Sequence, residues 1–334
     1  MIARLVFAFC LVFGLPAGAQ TLTQIKVTTP IVGVVFLPLY HAQEAGYFKR
    51  AGLEVEALST NGDGPDVDAL IAGSVQFTLS TPNRLFTAYQ QGRKLLAVMS
   101  LSDRMTIECF MNKTVADRLG DSLATPLDVR LKSLKGLTLA GTRPGAFTYL
   151  MLQAYAKTAG LVPQKDVEII GIGGPQAMVP ALENGQVALA CGGSPAPEIA
   201  VASGKAVMFT NNTGGADPEF DHFLYEMVYA RPDYVKSDPQ TVRAFLGALI
   251  ASMHDVIETP SVQQLPALRK LFSGVSDGMM VAILDRTKPT WRQDGMVTDE
   301  QLAKAAKFLI DTGAVQSPAA SFGEVVDNSL LPAH

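Results

Sequence analysis

Two stretches of nine residues decide the fold: Ala69–Phe77 reads ALIAGSVQF, and Ala181–Leu189 reads ALENGQVAL. Each joins the end of an amphipathic helix to an apolar strand through a small, glycine-containing turn. In both copies the strand ends in a hydroxyl residue followed by proline, Thr81-Pro82 and Ser194-Pro195, which is the signature of a new helix start. A second pair, Ala51-Gly52-Leu53 and Ala159-Gly160-Leu161, recurs in the same order. Shared capping chemistry is enough to produce such matches, so common ancestry does not follow from them. Two α/β lobes with equivalent loops do follow.

Working outward, strand patterns at 25–29, 53–58, 75–80 and 95–101 alternate with helical patterns at 38–52, 65–72 and 82–91. The second half repeats this, with strands at 136–141, 167–172 and 187–191 and helices at 146–158, 175–184 and from Pro195. Such alternation predicts right-handed βαβ units and a mostly parallel sheet flanked by helices in each lobe. Beyond a Gly/Asp/Asn-rich loop at 211–217 and a strand at 223–230 the chain reads as helical. Asp238-Pro239 caps one helix there, and Thr298 with Gln301 reads as a capping box for another that ends at Gly313. A helical tail without strands of its own is expected to pack on the first lobe. The predicted organisation is a leader (1–19), the first part of lobe 1 (20–104), lobe 2 (105–231) and a return to lobe 1 (232–334), with hinge crossings near 102–106 and 230–234.

Composition narrows the function. The chain has 334 residues and a net charge of −4 with no basic run, which removes the signature of a nucleic-acid binder. The mean hydropathy of +0.21 raises the question of a membrane span. Its longest apolar run is Leu5–Leu15, too short to cross a bilayer. Preceded by Met1–Arg4 and followed by Ala17-Gly18-Ala19, it reads as a secretory signal peptide cleaved after Ala19, which places the mature protein in the periplasm. Export permits a disulfide between Cys109 and Cys191, while their distance in sequence favours two separate buried thiols.

Ligands of open α/β sheets bind at the carboxyl ends of the strands, against helix N-termini. The candidate ligand-binding residues lie in those loops. Val35 and Phe36 belong to an uncharged stretch, Ile31–Leu37, that reads either as a ligand wall or as core. Arg143, before a helix start, has the reach to hold an anion or to remain solvated. Thr81, Asn83, Thr148 and Ser194 could orient polar groups, although hydroxyls there are first of all N-caps. Asn61 sits with Asp63 in a turn that turn chemistry alone explains. A hydrolase reading rests on Gly192-Gly193-Ser194-Pro195-Ala196, a G-x-S-x-G elbow with Ala in the last place, and on His254 as base. Three Cys and four His, without metal or cofactor motifs, point to no metal, no cofactor and no enzyme.

Pro38-Leu39-Tyr40-His41-Ala42, Glu44-Ala45-Gly46-Tyr47-Phe48-Lys49 and Ala51-Gly52-Leu53-Glu54-Val55-Glu56 resemble the opening of the nitrate/sulfonate/taurine-type substrate-binding proteins of ABC importers. Leu134-Lys135-Gly136-Leu137-Thr138 with Pro144-Gly145 and Thr148 extends the likeness. That group shares its fold with the thiamine-pyrimidine synthases, whose Cys-rich iron-binding stretch is absent here. The resemblance implies a type II periplasmic binding protein: a two-lobed monomer that closes on a small molecule and docks on a membrane permease with its ATPase. It departs from the group at Gly145-Ala146 where Gly-Ser is common, at Tyr149 where a His often stands, and at Ser194-Pro195 where Glu-Pro is frequent, and by its place in that loop Ala146 joins the candidate ligand-binding residues. The expected ligand is a small organic molecule with an apolar body, a carboxylate or a sulfonate, and the expected partner is a transporter or, equally, a sensor.

Overall fold

The computed structural model describes residues 21–317 and 319–333, so the expected signal peptide lies outside the described residues. Among the described residues, ten strands form two sheets of five. In the first lobe β1 (Thr23–Thr29), β2 (Leu53–Ser59), β3 (Phe77–Ser80) and β4 (Leu96–Ser102) come from the start of the chain. The second lobe holds β5 (Ile107–Asn112), β6 (Thr138–Gly141), β7 (Glu168–Gly171), β8 (Leu189–Gly193) and β9 (Ala206–Met208). The last strand, β10 (Glu226–Ala230), does not belong to the second lobe, where the sequence placed it. It lies antiparallel between β3 and β4, so the chain has returned to the first sheet before Glu226 rather than near 230–234.

The strand orders are β2-β1-β3-β10-β4 and β7-β6-β8-β5-β9. They are the same topology. In each, two parallel pairings surround the first βαβ unit, and an antiparallel strand sits fourth, namely β10 and β5. The two repeated stretches of sequence lead into β3 and β8, which occupy equivalent places. Both antiparallel strands are buried throughout, as strands covered by helices on both faces must be.

Local chemistry explains where elements end. The helix expected from 38 to 52 is two helices, Leu37–Glu44 and Tyr47–Arg50, because Gly46 turns left-handed at φ 76°. Asp238 accepts from Thr241 N and starts the helix Pro239–Glu258. Thr298 caps the helix Asp299–Thr312 through Gln301 N, but the Gln301 side chain accepts from the Thr298 hydroxyl, so the reciprocal half of the capping box is not made.

The helical tail packs on the first lobe and also reaches the second. Phe245 stacks on Phe48 and Phe77 at 5.1 and 4.1 Å between centroids. Phe308, in the helix Asp299–Thr312, stacks on Phe147 of the second lobe at 5.3 Å. Lys157 Nζ donates to the carbonyls of Asp311 and Thr312.

Cys109 and Cys191 are disulfide-bonded, not separate thiols. They face each other in the β5–β8 register, a pairing that neighbouring antiparallel strands impose and linear distance conceals. No helix among the described residues is long and apolar enough to cross a membrane.

Candidate functional site

The loops at the carboxyl ends of β1, β2, β3, β6 and β8 converge between the lobes on a cavity of about 50 Å³. A single water needs roughly 10–15 Å³ by this measure, so the space suits a small solute. Apolar walls come from Val34, Val35 and Phe36 of the first lobe and from Phe147 and Met178 of the second. Hydroxyls are supplied by Thr81, Thr106, Thr142, Thr148, Ser194 and Thr287. Asp63, Tyr225 and Glu226 also line the cavity, and no Lys, Arg or His does so.

Close approach between lobes requires small residues. A Cβ on Gly62, which has φ +143°, would stand 2.8 Å from Arg143 Nε of the opposite lobe. Gly192 and Gly193 keep side chains out of the cavity floor next to Met178 and Ile31.

The structure brings together five of the sequence-predicted site residues: Val35, Phe36, Thr81, Thr148 and Ser194. Asn83 is buried behind them, accepting from Thr81 Oγ1 at 2.6 Å and donating across the cleft to Gly145 O at 3.0 Å. Ala146 is fully buried and does not line the cavity. Asn61 and Arg143 stand exposed on the rim, where Arg143 Nη2 donates to Asn61 O at 3.1 Å. Arg143 therefore bridges the lobes outside the cavity instead of reaching into it, because Gly62 leaves it a path to the opposite loop.

Thr148 does hold the second-lobe loop, its Oγ1 accepting from Thr142 N at 2.9 Å. Ser194, preceding a cis peptide to Pro195, donates to Glu198 Oε1 at 2.8 Å. Glu198 also pairs with Arg286 of the tail. His254 is bonded instead to Gln293 O, so the structure does not bring Ser194 and His254 together.

Two carboxylates that were not among the expected ligand-binding residues define the electrostatics of the cavity. Asp63 Oδ2 accepts from Phe147 N at 3.1 Å, placing a side chain of one lobe on the helix N-terminus of the other. Burial pushes the Asp63 carboxyl above its usual range, with Arg84 pulling the other way. Glu226 is 2% exposed, and its Oε2 has no hydrogen-bond partner among the described residues. Burial first, then the charges of Asp63 and Asp66, hold the Glu226 carboxyl well above the carboxylate range, with the neighbouring Tyr225 hydroxyl pulling the other way. The same surroundings raise the Tyr225 phenol, through burial first and then the charges of Glu226 and Asp63. The available signal for Glu226 was a lone acid in the apolar run Phe223–Ala230.

Paired sheets of this topology, joined by two crossings around an interlobe cavity, define the periplasmic-binding-protein fold, and the known structures that resemble the chain share it. A protein from Bordetella bronchiseptica RB50 superposes with a TM-score of 0.78 at 19% identity, over 92% of this chain and 95% of that one. The periplasmic nitrate-binding protein NrtA from Synechocystis PCC 6803 gives 0.73 at 18% identity, over 92% and 87%. The chain belongs to the NMT1/THI5-like family, whose model matches residues 34–262. Among curated proteins it is similar to the putative binding protein YtlA of Bacillus subtilis (strain 168), 27% identical over 165 residues. That match takes in 48% of this chain and 46% of the relative, so the two correspond over less than half their lengths.

Proposed function

We propose that the chain is the extracytoplasmic solute receptor of an ABC importer. The observation that carries this reading is the cavity between two equivalently wound lobes, lined by residues of both. A solute touching both lobes binds the closed arrangement better than the open one, and that difference in affinity drives closure. The closed form presents one continuous face to a membrane permease, which takes the solute and is driven by its ATPase. Family membership and the ligand-binding character of the similar proteins support the reading. The mature receptor starts after Ala19, works in the periplasm and is a monomer.

Thermal unfolding of the purified mature protein against a library of small metabolites tests it. A ligand at a hundred times its Kd adds about 2.7 kcal/mol of stability. If no member shifts the transition, the receptor reading falls.

A further inference from the structure

We infer that the cavity selects a small organic cation, an amine or amidinium on an apolar body, with Glu226 as the carboxylate that receives its N–H groups. The inference rests on the receptor reading and names the class of solute.

Glu226 opens β10 and lines the cavity while nearly inaccessible to solvent, and its Oε2 has no partner among the described residues. An open acceptor on a buried carboxylate is destabilising unless something fills it. The fold can satisfy such a group when its role is structural: Glu108, on the equivalent strand of the other lobe, receives Thr210 Oγ1 and the backbone N–H groups of Asn212 and Thr213. Asp63 places a second carboxylate on the same cavity.

An anionic solute finds no counter-charge here. No Lys, Arg or His lines the cavity, and Arg143 is bonded to Asn61 O outside it. The N-terminus of the helix Phe147–Thr158, a natural seat for a ligand anion, already holds Asp63 at 3.1 Å. Among the described residues no group of three or more His, Cys, Asp or Glu is arranged for a metal ion, so the cation is organic. Phe36, Phe147 and Met178 supply the surface for its apolar body. A nitrogen cation beside Glu226 also reverses the effect of burial, favouring the ionised carboxylate.

Calorimetry of the mature full chain tests this with butylammonium, benzamidinium, butyrate and butanesulfonate, alongside a metabolite library sorted by charge. Binding is expected in the cationic class and absent in the anionic one. Glu226→Gln is expected to weaken cation binding roughly tenfold or more, the loss of one charge-assisted hydrogen bond. If that variant does not fold, Glu226→Asp, which keeps the charge but draws the carboxylate back by one methylene, is expected to weaken cation binding without admitting anions, and Asp63→Asn is expected to give a smaller loss than Glu226→Gln. Binding of anions alone would overturn the inference and leave the receptor intact. Unchanged cation affinity in a folded Glu226→Gln protein would overturn it as well. Silence in every charge class would count against the receptor reading itself.

Discussion

β5 and β10 occupy the same place in their two sheets, and each carries one buried glutamate. Glu108 lies opposite Gly192 in the register, and its carboxylate is enclosed by three donors from the second crossing. Glu226 lies opposite Ser102 at the edge of the cavity, and its Oε2 has no hydrogen-bond partner among the described residues. One glutamate fastens the crossing chain; the other is left for something the chain does not contain. The neighbouring positions differ too: the β5–β8 pair is cross-linked by Cys109 and Cys191, and the matching β10–β3 pair is not. The second lobe is thus fixed at its hinge strand by a covalent bond and by hydrogen bonds to Glu108, while the first keeps its hinge strand for the ligand.

Removing the cross-link gives the largest effect on this contrast. The disulfide spans 82 residues, and the chain-entropy account assigns a loop of that size about 4 kcal/mol. Cys109→Ala with Cys191→Ala is expected to lose most of that in denaturant unfolding while retaining the fold. A loss below about 1 kcal/mol would mean that the β5–β8 pair holds itself together without the bond. Glu108→Gln comes next. It sets an amide N–H against donors already aimed at the carboxylate, and about 2–3 kcal/mol of stability should go with it.

Glu226→Gln should act in the opposite direction in the ligand-free protein. Glu226, Asp63 and Asp66 all have carboxyl groups raised by burial, and Tyr225 and Tyr229 are further titratable groups coupled to Glu226. A carboxyl raised on folding contributes stability that is complete below the ordinary carboxylate range. As pH rises the unfolded chain ionises first, and that stability is lost up to the folded value. Stability of the wild type should therefore fall as pH climbs through that window, and Glu226→Gln should flatten the fall. An identical slope in the variant would show that Glu226 finds another partner, and the contrast with Glu108 would disappear.

Much of the fold was legible because Pro and Gly mark its helix ends and each repeat leads into an equivalent strand, β3 or β8. What failed was non-local. β10 reads as one more strand of the second lobe until its pairing with β3 and β4 is known, and the register joining the cysteines pairs β5 with β8 across two intervening strands of the chain. The loops around the cavity were also legible, since βα loops gather at strand ends. Their polarity was not. Asn61-Gly62-Asp63-Gly64 satisfies turn chemistry whether or not Asp63 points inward. A lone acid in an apolar strand marks Glu108 and Glu226 equally, and only three-dimensional partners tell them apart.

Arg143 offers the smallest effect and a sharp test of that last point. The sequence places it at a helix start, free either to hold an anion or to remain solvated, and in the structure it stands on the rim, donating to Asn61 O. Arg143→Ala should change stability by no more than about 0.5 kcal/mol, as exposed substitutions do. Its effect should fall on closure: one of the bonds linking the lobes is lost, while Asp63 to Phe147 and Asn83 to Gly145 remain. A distance probe across the cleft should report a slightly more open ligand-free population, with solute affinity nearly unchanged. If Arg143→Ala instead abolished binding and left the interlobe distance alone, the guanidinium would have to enter the cavity in the bound state. It would then neutralise Asp63 and Glu226, and the first lobe's open carboxylate would no longer specify the charge of the ligand.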